Sequence, residues 1–190
     1  MPTAPSGPQN ERPTNEYAAA RSISIQPAGP EHLPAIAALA DVVWRAHYPG
    51  IIPVAQIDYM LPRMYGLEVM RRELADGVNY DRLLVNGDIL GFASYGPVAS
   101  AEMKLHKLYL HPEWHGRGLG SRLLAHVERQ ASGRGFHTLI LAVNKANQKA
   151  IAAYRRNGFA VRETIVSDIG GGFVMDDFIM AKPLPAPAGP

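Results

Sequence analysis

Apolar and polar positions begin to alternate at Ser22, in "SISIQPA", and the alternation stops at Pro27, which predicts a short strand. Within residues 31–48, Leu33, Ile36, Leu39 or Ala40, and Val43 recur at helical spacing, so a helix is expected there. Pro49, Gly50 and Pro53 break it. Two shorter helical segments follow at 54–61 and 66–77, the second ended by Gly77. "RLLVNGDILGFASYG" reads as a hairpin, because Asn86-Gly87 suits positive φ at both turn positions. Residues 101–111 form a longer strand that ends before Pro112. Beyond a glycine-rich stretch, Leu119, Leu123, Val127 and Ala131 mark one face of a helix. "HTLILAV" is almost wholly apolar, as expected of a strand buried on both faces. An Ala-rich helix closed by Asn157-Gly158 and two more strands, near 159–166 and 173–182, complete the order. That order predicts a mixed α/β (α+β) sheet of six or seven strands with helices on its faces.

Composition narrows the class. The chain has 190 residues, 47% of them hydrophobic, enough for one domain with a proper core, expected over 22–182. Residues 1–21 and 183–190 are rich in Pro, Ala and polar residues and read as disordered tails. Lys and Arg total 19 against 17 Asp and Glu, so a net charge of +2 gives no electrostatic case for a nucleic-acid partner. No apolar run approaches the ~20 residues of a membrane span, and no apolar signal core opens the chain. A cytoplasmic protein without a membrane partner is expected. Cysteine is absent, which excludes disulfides, thiolate nucleophiles and cysteine metal sites. His106, His111 and His115 lack a carboxylate at ligand spacing, and no metal is expected.

The glycine-rich stretch, "HPEWHGRGLGSRLL" at 111–124, can be tested against three known devices. A phosphate-binding Walker loop ends in Gly-Lys-Ser/Thr, but Gly120 is followed by Ser121 and Arg122. A dinucleotide fingerprint needs G-x-G-x-x-G and an acid at the end of the next strand. Gly116, Gly118 and Gly120 are spaced G-x-G-x-G, and that strand ends at Asn144. What remains is either a plain tight turn or an anion site at a helix N-terminus, where free amides and the helix dipole favour negative charge. Arg117 and Arg122 would add charge at its rim.

The same stretch resembles the acetyl-CoA signature of the GCN5-related N-acetyltransferases, Gln/Arg-x-x-Gly-x-Gly/Ala, with His115, Gly118 and Gly120 at its marked positions. His115 departs from the usual Gln or Arg. Some thirty residues on, "VNKANQKAIAAYRRNGF" resembles the family's second signature, and the resemblance covers about Ser22 to Lys182. It implies a mostly antiparallel sheet with a V-shaped split between two central strands. It implies that the backbone of Gly116, Arg117, Gly118, Leu119, Gly120, Ser121 and Arg122, next to His115, cradles the pyrophosphate of acetyl-CoA. Leu108, Tyr109 and Leu110 would bond the pantetheine arm as a further strand does. Asn144 and Asn147 fall in the coenzyme-binding set, and Asn147 also reads as a helix N-cap. Tyr154 sits where the family's general acid sits and also falls in the coenzyme-binding set, although it reads too as a core tyrosine of an amphipathic helix.

Acetyl transfer from a thioester to an amine needs a neutral amine, a stabilised oxyanion and a proton for the leaving thiolate. With an alkyl ammonium pKa of roughly 10.4, only about one amine in a few thousand is neutral at pH 7, so a base is useful. Glu102, Lys104 and His106 share one face of the 101–111 strand, and His106 is the first choice of base because its ordinary pKa lies near neutrality. "HYPGIIPVAQIDYMLPRMY" and "DIGGGFVMDDFIM" are similar to segments of the bacterial branch that includes polyamine acetyltransferases. Trp44, Tyr48 and Tyr59 offer aromatic faces to a cation, and Asp176 and Asp177 offer negative charge. Trp44 and Tyr59 read equally well as core residues. The expected acceptor is therefore a small cationic amine, attacking directly in a ternary complex. Two other readings stay open. One is acetylation of a peptide or protein amine; the other is a non-catalytic acetyl-CoA sensor that regulates a partner through a homodimer.

Overall fold

The computed structural model describes residues Ser22–Pro185; residues 1–21 and 186–190, which hold most of the two expected tails, lie outside the described residues. Seven strands form one sheet: β1 (Ile23–Pro27), β2 (Asn79–Val85), β3 (Asp88–Ala99), β4 (Glu102–Leu110), β5 (Thr138–Asn144), β6 (Ala160–Gly170) and β7 (Phe173–Pro183). Their spatial order is β1-β2-β3-β4-β5-β7-β6, and only β4 and β5 run parallel. That pair is joined by α4 (Leu119–Gly133), the crossover that a parallel connection requires. The other helices are α1 (Leu33–His47), α2 (Val54–Tyr65), α3 (Leu67–Ala75) and α5 (Gln148–Arg156).

Two apolar layers flank the sheet. On one face, Leu123, Val127 and Ala131 of α4 pack on Leu83, Met103, Leu139 and Met180, all essentially inaccessible. Burying each large side chain of that set contributes about 1.5–3 kcal/mol. On the other face, Leu33, Ile36 and Trp44 of α1 join Ile57, Met70, Tyr80 and Phe92. The hairpin forms at the expected pair, with φ of 53° at Asn86 and 94° at Gly87. At the far end, β7 runs one residue past the expected boundary of 182. Leu184 is buried, and its amide bonds the carbonyl of His137 at 2.8 Å.

One irregularity shapes the centre of the sheet. Ser94 pairs with Lys107 but Tyr95 pairs with Leu105, so His106 is the extra residue of a β-bulge. The bulge puts His106 and Lys107 on the same face, and it bends β4 away from β5. Their pairing covers only Glu102–Leu105 against Thr138–Leu141. One expectation about β5 is corrected. Leu139, Leu141 and Val143 are buried on one face of the strand, but Ala142 on the other face is exposed.

Candidate active site

Beyond Leu105 the two central strands diverge, and the backbone of β4 on that side has no strand partner. The amide of His111 bonds Leu90 of β3 at 2.8 Å. Antiparallel alternation then turns the backbone groups of Leu108 and Leu110 into the split. The carbonyl of Leu110 is met there by His115 Nε2 at 3.1 Å, so the departure from the usual Gln or Arg ties the loop to the strand end. Gly91 permits this arrangement, since a Cβ there would lie 2.9 Å from the carbonyl oxygen of Tyr109.

The glycine loop closes one mouth of the split. Gly116 and Gly118 both have φ of 75°, a conformation that side chains resist, and Gly118 is the N-cap of α4 without a side-chain cap. Among the described residues, the amides from Gly116 to Ser121 have no protein partner; Arg122 is the first to bond, to the carbonyl of Gly118 at 3.0 Å. Free amides beside the positive end of a 15-residue helix make an anion cradle. The two arginines are partly engaged elsewhere. Arg122 reaches the carbonyl of Ile23 at 3.0 Å, and Arg117 lies over the Trp114 ring at 4.6 Å.

Helix α5 flanks the other arm. Asn147 caps it, accepting from the amide of Ala150 at 3.2 Å, and is buried. Asn144 is likewise occupied, its side chain accepting from the amide of Ala146 at 2.9 Å. Tyr154 packs edge-on against Phe159 at 5.8 Å, and burial pushes its phenol up to about 12. It therefore holds its proton at neutral pH.

On the opposite face of the sheet, Tyr48 at the end of α1 exchanges a hydrogen bond of 3.0 Å with the hydroxyl of Tyr109. Burial drives both phenols well above their ordinary range, and Tyr154 lies within electrostatic reach of each. Trp44 stacks behind Tyr48 at 4.4 Å, is fully buried, and gives its indole N–H to Tyr65. Its role is to hold Tyr48, not to present an open ring. Tyr59 donates to the carbonyl of Ile169 at 2.8 Å and packs under the glycine turn between β6 and β7. It too acts as a support. Asp176 pairs with Lys145. Asp177 is 8% exposed and shares the α1–α3 face with Asn144, its register partner on β5. His106 remains exposed at the bulge, yet partial desolvation and then Lys104 and Lys107 hold its pKa down to about 4.

The structure adds a cluster that periodicity gave no sign of. Lys107 is 3% exposed and bonds Glu73 at 2.7 Å and the Tyr80 hydroxyl at 2.8 Å, while Tyr80 also donates to Glu73. Only the bulge turns this lysine toward α3. Among the described residues, no three His, Asp or Glu side chains are placed to hold a metal, and no helix is long and apolar enough to cross a membrane.

Residues 43–159, more than half of the chain, match the Acetyltransferase (GNAT) family. The chain belongs to that family. A curated relative, spermidine N(1)-acetyltransferase from Thermoplasma acidophilum, is 28% identical over 160 residues, covering 82% of this chain and 96% of that protein. Among solved structures, the PaiA N-acetyltransferase from the same organism, in complex with coenzyme A, superposes with a TM-score of 0.74 at 26% identity. It covers 85% of this chain and 99% of that one. The ribosomal-protein-S18-alanine N-acetyltransferase from Escherichia coli gives 0.65 at 26% identity, with 88% and 97% coverage. This protein is thus a GNAT N-acetyltransferase with the family's sheet. Acetyl-CoA is the coenzyme of that family, and the partnerless amides of the loop together with the unpaired edge of β4 are suited to hold it.

Proposed function

We propose that the protein moves an acetyl group from acetyl-CoA to a primary amine of a small cationic acceptor, with both bound at once. One observation carries this reading: among the described residues, six consecutive amides without protein partners stand at the mouth of a split whose β4 edge is also unpaired. Those amides would hold the pyrophosphate, and the backbone of Leu108 and Leu110 would bond the pantetheine arm. When bound, acetyl-CoA supplies the activated acyl group as a thioester. Tyr154 keeps its proton at the phenol oxygen and is the group to deliver it to the departing sulfur. The chain has no cysteine to carry an acetyl group, which supports direct attack. A cationic acceptor is favoured by the acidic residues of β7, by the Tyr48–Tyr109 pair, and by the likeness to a spermidine acetyltransferase.

The test is thiol release from acetyl-CoA across polyamines, amino acids and peptides. Turnover is expected with polyamines, and Tyr154→Phe should lower kcat by about 10²-fold while leaving coenzyme affinity unchanged. Absence of turnover with every amine, while acetyl-CoA still raises the melting temperature, would overturn the catalytic reading in favour of a sensor. Turnover with peptides alone would replace the small acceptor with a protein amine.

A further inference from the structure

A buried polar atom without a partner is costly unless something outside the chain meets it. Four such side-chain atoms occur among the described residues: Arg82 Nε, Ser94 Oγ, His111 Nδ1 and Asp177 Oδ1. Only Asp177 is a carboxylate. It lies on β7 beside the open arm of the split, where Ala142 is also left uncovered. The charged and titratable groups facing it come from several elements. Tyr48 approaches from α1, Lys104 from β4 and Lys145 from the turn after β5, and Asp176 adjoins it on its own strand. Asp176 is taken by Lys145, which leaves Asp177 as the buried acid with a free oxygen.

We propose that Asp177 is a catalytic residue whose Oδ1 receives the ammonium of the acceptor and accepts its proton. The assignment rests on the acetyltransferase reading above and names the acceptor class, alkyl amines that arrive as cations. One proton moves. An N–H bond of the ammonium breaks, an O–H bond forms on Oδ1, and the nitrogen keeps the electron pair with which it attacks. The proton passes to water once the acetylated product has left. Burial, and then Asp176, raise the Asp177 carboxyl above the ordinary carboxylate range, which narrows the gap to the amine. His106, neutral at pH 7 because burial and then Lys104 and Lys107 hold its pKa down to about 4, carries no negative charge to attract an ammonium.

The experiment compares wild type, Asp177→Asn and His106→Asn, using coenzyme A and spermidine as probes. Calorimetry measures coenzyme A binding, then spermidine binding to the coenzyme A complex, and kcat/KM for spermidine is followed against pH. For Asp177→Asn, coenzyme A affinity should stay within about twofold of wild type, which also shows that the variant is folded. Spermidine affinity should fall at least ~10-fold and kcat/KM at least ~100-fold. The acidic limb of the pH profile should persist in His106→Asn and vanish in Asp177→Asn. Retention of spermidine affinity and of that limb in Asp177→Asn overturns the assignment. So does a wild type that acetylates neutral amines better than cations, and in that case the acetyltransferase reading survives. A wild type that binds no coenzyme A defeats that reading and the assignment with it.

Discussion

Asp81 and Asp177 are buried almost equally, at 5% and 8% exposed, on opposite halves of the same sheet. Asp81 on β2 accepts from the Tyr95 hydroxyl at 2.8 Å and from His126 Nε2 at 2.8 Å, so one carboxylate oxygen ties β3 and α4 to its own strand. Burial, and then Asp81, push the Tyr95 phenol above its ordinary value, and it stays a donor. Asp177 has no such pair, and its Oδ1 is buried without a hydrogen-bond partner among the described residues. The contrast teaches what burial by itself does not. A carboxylate with partners from two other elements is part of the scaffold, whereas one buried with an unpartnered oxygen is the one proposed to receive a ligand.

The comparison breaks most sharply at Asp81. Asp81→Ala leaves a buried hydroxyl and an imidazole without their acceptor and should cost about 3 kcal/mol in urea denaturation. A loss below about 1 kcal/mol would mean that Asp81 is no more structural than Asp177. Lys107→Met is the next largest change. It removes a buried cation from Glu73 and Tyr80, and should cost about 2 kcal/mol because half-buried Glu73 can regain water. Asp177→Asn should act with the opposite sign. Because the folded protein raises the Asp177 carboxyl, it binds a proton there more readily than the unfolded chain does. Stability is therefore lost as pH rises from the ordinary value of about 3.9 through the raised one, and the Asn variant escapes that loss. It should melt higher than wild type at pH 7, with the gap closing toward pH 4; a lower melting point at pH 7 would assign Asp177 to the scaffold. The smallest effect is at His106. Its ring should titrate by NMR with a midpoint of about 4, and its share of stability should fall as pH drops from about 6.5 toward that value. A midpoint near 6.5 would restore it as a rival base.

Much of this was legible residue by residue. The helical repeat of Leu119, Leu123 and Val127, the Asn86-Gly87 turn and the G-x-G-x-G spacing each report a preference set within a few positions. The two coenzyme signatures are local in the same sense, since a loop and the helix after it can form an anion cradle from their own backbone. Acceptor residues were less legible. Trp44 and Tyr59 have the chemistry of a cation wall, but one is sealed behind Tyr48 and the other supports a glycine turn. An aromatic ring looks the same in a sequence whether its face is packed or open.

What the chain determined by itself is the sequence of elements, the conformation of its glycine turns and the glycine loop with its free amides, because each depends on neighbours within about one turn or one hairpin. Only the tertiary structure decided the bulge at His106, the depth of the split, the burial of Lys107 against Glu73, and the contrast between Asp81 and Asp177. Those depend on partners such as His126, 45 residues from Asp81, whose approach is set by how helices and strands pack. Whether a buried oxygen finds a donor is therefore a property of the assembled sheet.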